Sequence, residues 1–94
     1  MACTFLARFK IKPEKEQEFV ALVGRMEEIS KHEPDTLDYQ FFRLAEPDMF
    51  AVYERFTSEE GDLAHQQNPL NVALIDAMVA CMNGGYVREY LYNV

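Results

Sequence analysis

The order of periodic segments predicts an α+β fold, a ferredoxin-like βαββαβ subunit with an antiparallel four-stranded sheet and both helices on one face. Three observations carry that prediction. Four short stretches alternate apolar and polar residues or are dense in β-formers. Two longer stretches carry apolar residues at helical spacing. The middle two strands are separated only by Ala45-Glu46-Pro47-Asp48, a turn-forming segment that makes them an antiparallel hairpin.

Thr4 to Lys12 is the first strand. Cys3, Phe5, Ala7, Phe9 and Ile11 share one face, and Thr4, Arg8 and Lys10 share the other with Leu6. Pro13 suits the first turn of a helix, where its missing N–H costs nothing. Glu14, Glu16 and Glu18 complement the positive end of that helix. Phe19, Leu22, Val23, Met26 and Ile29 form its buried stripe, and Glu27 and Lys31 have the spacing of a surface pair. His32-Glu33-Pro34-Asp35 ends it.

Leu37 to Leu44 and Phe50 to Phe56 are the second and third strands. Thr57 and Glu60 have the spacing of a capping box for the next helix, which Gly61 weakens slightly. Asn68-Pro69 restarts it, with Asn as cap and Pro at the first position. Leu74, Ile75, Met78, Val79 and Met82 give this half its apolar stripe, and Gly84-Gly85 stops it. Tyr86 to Tyr92 is the last strand. The whole, residues 1–94, is expected to be a single domain. The strands have apolar side chains on both faces, whereas the helices cover one. A sheet of that kind needs a second cover, and the simplest is another copy of itself, so a homodimer is expected.

The formal charge is −7 and the isoelectric point about 4.7. Such a surface repels phosphate backbones and anionic lipid, which argues against nucleic acid and membrane partners. Cys3 and Cys81 are far apart, with no CxxC spacing and no histidine cluster, so no metal site is expected. They suit buried free thiols in a reducing compartment. Together with an opening strand interrupted by Arg8 and Lys10, they point to a cytoplasmic protein. The 7 Phe and 5 Tyr fit either an aromatic core or an aromatic-lined pocket.

Chemistry concentrates in one stretch. Glu54 lies on the third strand, and the helix after it carries His65, one of only 2 histidines. A carboxyl and an imidazole on neighbouring rigid elements can build a proton-handling site. His65 suits a general base, or a buried residue bonded to a loop. Glu54 suits an orienting or substrate-binding group, or an ion pair with Arg8, Arg43 or Arg88. Tyr39 and Tyr53 offer hydroxyls to a ligand or to the pocket rim. Arg88 offers a guanidinium for an oxyanion or a surface charge. Asn68 is a helix cap or a ligand contact.

These residues carry a resemblance. Tyr53-Glu54-Arg55-Phe56, Thr57-Ser58-Glu59-Glu60, Ala64-His65 and Asn68-Pro69 resemble the antibiotic biosynthesis monooxygenase family. Lys12-Pro13-Glu14 and Glu33-Pro34-Asp35 leading into Tyr39 do so as well. The resemblance spans essentially the whole chain. It implies a dimeric α/β barrel with a cavity between sheet and helices in each subunit. It also implies oxygenation of quinols or phenolic polyketides without flavin, metal or haem. Other relatives degrade haem or isomerise phosphorylated carbonyl compounds. Phe56 stands where the family often has Trp, and the first strand offers Arg8 in place of Asn, which argues against haem breakdown. Asp35 replaces a frequent Gly, and Leu70 follows Pro69 where many relatives have a His or an aromatic.

The resulting expectation is a cofactor-free monooxygenase acting with O₂ on a small aromatic or quinol-type substrate. Its catalytic residues would be His65 and Glu54, and its substrate-binding residues Tyr39, Tyr53, Arg88 and Asn68. An isomerase or lyase on a small carbonyl compound and a non-catalytic ligand-binding dimer are the alternatives.

Overall fold

Period-two alternation fixes the first strand, and its buried face recruits the rest. In a computed structural model that describes residues Met1–Val94, β1 (Cys3–Lys10) buries Cys3, Phe5, Ala7 and Phe9 and leaves Arg8 and Lys10 exposed. Ile11 continues only as an isolated bridge to Met82, so the strand is shorter than its sequence suggests. A 3-10 turn over Pro13–Lys15 leads into α1 (Glu16–Ser30). Then follow β2 (Thr36–Arg43), β3 (Met49–Phe56), α2 (Glu59–Gln67), α3 (Pro69–Ala80) and β4 (Val87–Tyr90). The sheet order is β2-β3-β1-β4 and every neighbouring pair is antiparallel.

The helices lie on one side of the sheet. Phe19, Leu22 and Met26 of α1 and Leu74 and Met78 of α3 pack with Ala7, Phe9, Phe50 and Val52 of the sheet. Phe19 is fully buried and meets Phe50 edge-on at 5.1 Å between ring centroids. Cutting such a side chain to Ala costs ~3–5 kcal/mol. Cys3 and Cys81 are buried free thiols, and burial raises the pKa of both. No helix is long and apolar enough to cross a membrane.

Several local expectations are corrected. Ser58, not Thr57, caps α2: its hydroxyl accepts from the Gly61 N–H, while the Thr57 hydroxyl donates to Asp35. Glu27 does not pair with Lys31. It accepts the Phe41 N–H at 2.9 Å and so ties α1 to β2, and Lys31 turns to Glu28. Register shifts between Thr36 and Asp38, so Leu37 has no partner on β3 and is 47% exposed. β4 pairs only from Val87 to Tyr90, with one further bond from the Leu91 N–H to Thr4.

Gly61 does more than weaken a helix. A Cβ there would lie 3.0 Å from the Asp35 Cβ and 3.3 Å from its carbonyl oxygen. The missing side chain lets α2 press against the loop after α1, and that close approach sets up the site.

Candidate active site

Alternation along β3 turns Val52 and Glu54 toward the helices and Tyr53 toward the open face. The register sets Glu54 between Phe5 of β1 and Tyr39 of β2. On α2, Gly61, Asp62 and His65 share one face by helical spacing, and all are buried. The His65 ring is thereby laid over the sheet, 4.7 Å from the Tyr39 ring centroid and 5.4 Å from that of Phe56.

Each ring nitrogen of His65 faces a carboxyl group. Nδ1 lies 2.7 Å from Glu33 Oε1, and Nε2 lies 3.9 Å from Glu54 Oε1. The Glu33 carboxylate also accepts from the Thr36 hydroxyl at 3.1 Å, the Asn68 amide at 2.8 Å and the Asn71 amide at 3.0 Å. Burial pushes its pKa up, but the donors from Asn68 and His65 outweigh burial and hold it below the usual carboxylate range. Glu54 is in the reverse state. Burial is the dominant influence; Arg88 opposes it, and Asp62 and Glu33 add to it. The result is a carboxyl pushed up to about 8. Of the two readings of Glu54, the ion pair with an arginine does not form: Arg8 pairs with Glu89, Arg43 with Glu16 and Arg88 with Asp62.

Arg88 Nη1 donates to Asp62 Oδ2 at 2.6 Å, Nη2 reaches Oδ1 at 3.4 Å, and the guanidinium stacks 4.1 Å above Phe5. Burial opposes its charge, but the Asp62 carboxylate more than compensates and raises its pKa. Burial, then the charges of Glu54 and Glu33, raises the Tyr39 phenol well above its ordinary value, so it remains a hydroxyl.

A cavity of about 190 Å³ opens between the sheet and α3. Its walls are mostly apolar, with Phe9, Phe41 and Val52 from the sheet and Ile75 and Met78 from α3. Tyr39, Glu54, His65 and Arg88 line it and so converge from four elements. Tyr53 does not line it, since neighbours on a strand face opposite ways. Asn68 does not line it either; its carbonyl oxygen caps α3 by accepting the Leu70 N–H while its amide holds Glu33. No group of three His, Cys, Asp or Glu side chains is arranged to hold a metal ion.

A four-stranded sheet covered on one side by three helices, with a cavity between sheet and helices, is the subunit arrangement the resemblance implies. The sequence model of the antibiotic biosynthesis monooxygenase family matches residues 3–76. The chain belongs to the antibiotic biosynthesis monooxygenase family.

Solved structures agree with that family's fold. A candidate antibiotic biosynthesis monooxygenase from Caulobacter crescentus CB15 is 28% identical, covering 99% of this chain and 90% of that one, with a TM-score of 0.88. Rv0793 from Mycobacterium tuberculosis is 17% identical over 100% and 96% of the two chains, with a TM-score of 0.89. A variant of SnoaB from Streptomyces nogalater, a cofactor-independent oxygenase, is 14% identical over 98% and 92%, with a TM-score of 0.82. No curated protein matches the chain.

Sequence reading missed Glu33, Asp62 and Asn71. Asn71 had a signal. It lies three and seven residues before Leu74 and Met78, on the apolar stripe of α3, and is fully buried. A lone amide in an apolar row has to be bonded to something. Glu33 had only its place before Pro34, where it reads as a helix terminator.

Proposed function

We propose that this family member, acting as one domain over residues 1–94, is a cofactor-independent monooxygenase for a small, uncharged phenol or hydroquinone. The observation that carries this reading is the 3.9 Å separation of His65 Nε2 and Glu54 Oε1 on the cavity wall. One hydroxyl oxygen can meet both. Nε2 takes its proton, and the protonated Glu54 donates a hydrogen bond to the oxygen left behind. An electron-rich phenolate in a water-poor cavity reduces O₂ by one electron, and the radical pair combines at a ring carbon. Loss of water from the resulting hydroperoxide leaves a quinone carbonyl. The ring gives up four electrons; one oxygen atom stays and the other leaves as water.

The size and charge of the cavity support the substrate class. A dry cavity of ~150 Å³ accepts benzene, so about 190 Å³ suits one substituted ring. Arg88, the one cationic side chain lining the cavity, is engaged by Asp62. That favours a neutral ligand over a carboxylate or phosphate.

The open face of the sheet exposes Phe42 and Val87, at 45% and 76%. Their exposure supports pairing with a second copy, which sedimentation of the wild type against Phe42→Arg would test: a dimer is expected to become a monomer.

The same juxtaposed acid and base would also enolise a small carbonyl compound, the second reading. Oxygen uptake on a panel of hydroquinones separates the two. Uptake that is lost in His65→Ala is expected. Uptake no greater than in that variant would overturn the monooxygenase reading, and turnover of a carbonyl compound without O₂ would favour the isomerase.

A further inference from the structure

We infer that Glu33 is the positioning residue that makes His65 a base: it holds the Nδ1 proton and leaves the Nε2 lone pair facing the cavity. The inference rests on the proposed role of His65.

The two Glu33 oxygens offer about four lone-pair sites. Four side chains fill them, with Thr36 and His65 on Oε1 and Asn68 and Asn71 on Oε2. Thr36 begins β2, Asn68 caps α3, Asn71 lies in its first turns and His65 is on α2. The carboxylate is therefore held from three elements and the loop it belongs to. An oxygen so surrounded acts only as an acceptor, and the 2.7 Å contact with His65 requires a proton on Nδ1. Neutral His65 is then left with its lone pair on Nε2, the atom nearer to Glu54.

Asn71 locks the pair. Its amide nitrogen donates one hydrogen to Glu33 Oε2 and the other to the His65 backbone carbonyl at 2.9 Å, which leaves none for His65 Nδ1, 3.3 Å away. Its own carbonyl oxygen has no hydrogen-bond partner, although the residue is fully buried. An orphaned buried oxygen is unfavourable. The amide is oriented to serve the carboxylate and His65 at that oxygen's expense. The ionisable groups facing the imidazole are Glu33 from the loop after α1, Glu54 from β3 and Tyr39 from β2, with Asp62 on its own helix and Arg88 of β4 beyond Glu54. Of these only Glu33 contacts Nδ1 within hydrogen-bond distance.

Nitrogen-15 NMR of the His65 ring, in protein labelled at histidine, tests this without any substrate. The neutral imidazole of the wild type, reached by titrating the sample until the imidazolium signal is gone, is expected to show the Nδ1–H tautomer. Glu33→Gln is expected to shift the signal toward the Nε2–H tautomer, and Glu33→Asp to restore much of it. If hydroquinone oxidation is present, Glu33→Gln should lower kcat on the order of a hundredfold with KM changed less than about threefold. A wild-type His65 in the Nε2–H form, or a tautomer unchanged in a folded Glu33→Gln, overturns the inference. Because the tautomer is read without turnover, absence of oxygen uptake would sink the monooxygenase reading and leave this one standing.

Discussion

His65 has two sides, and a glutamate occupies each. Both side chains are 11% exposed, but Glu54 lies much deeper in the protein than Glu33, and the two are in opposite states. On the loop side, Glu33 is surrounded by donors and stays ionised. On the sheet side, Glu54 has no ion pair and keeps its proton up to about 8. Burial dominates at Glu54, whereas at Glu33 the donors outweigh it. Depth of burial and hydrogen-bonding capacity both differ between the two carboxyls, and the contrast gives one imidazole a fixed anion behind it and a proton donor beside its free nitrogen.

The largest expected effect comes from removing the group that links the two sides. His65→Ala should lower hydroquinone oxidation on the order of 10²–10⁴-fold, measured as oxygen uptake by protein whose circular dichroism matches the wild type. Equal rates in the two proteins would place the chemistry elsewhere.

The two carboxyls should also pull stability in opposite directions with pH. The folded-state pKa of Glu54 is above its ordinary 4.5, so the native state holds a proton that the unfolded chain releases. Its contribution to stability declines as pH rises from 4.5 to about 8 and is level beyond. Glu54→Gln should therefore gain on the wild type through that window, reaching on the order of 4 kcal/mol at its upper end. Glu33 has the reverse sign. Its folded-state pKa is below the ordinary value, so its contribution is complete above 4.5 and is lost as pH falls through the depressed value. Urea unfolding across pH reads both. A Glu54→Gln advantage that does not grow with pH would remove the distinction between the two sides.

Smaller effects sharpen the loop side. Asn71→Ala strips a donor from Glu33 and from the His65 carbonyl, and should cost ~1–3 kcal/mol in urea unfolding. Thr36→Val removes one of four donors at the part-buried edge and should cost ~0.5–1.5 kcal/mol. A larger loss for Thr36→Val than for Asn71→Ala would mean that the buried amide is not the main support.

The contrast also explains what could be read from the chain alone. Strand alternation and helical stripes reveal β1, β3 and α1 because those patterns are local, and Glu54 and His65 stand out as polar groups within such patterns. Glu33 does not stand out. Its donors lie up to 38 residues away, on elements that meet only when Gly61 lets α2 close on the Asp35 loop. Tyr53 beside Glu54 shows the opposite limit. Both are chemically suitable, but period two allows only one of two neighbours to face the cavity. The Glu27 and Lys31 spacing suggests a surface pair, whereas the Phe41 N–H claims Glu27 across the fold.

Everything proposed for the cavity depends on the acid beside the free nitrogen of His65 being protonated at neutral pH. Infrared difference spectra between wild type and Glu54→Gln measure that directly. A protonated-carboxyl band is expected at pH 7 that vanishes in Glu54→Gln and titrates away at about 8. A Glu54 already ionised at pH 6, with only carboxylate bands in the difference spectrum, would contradict it.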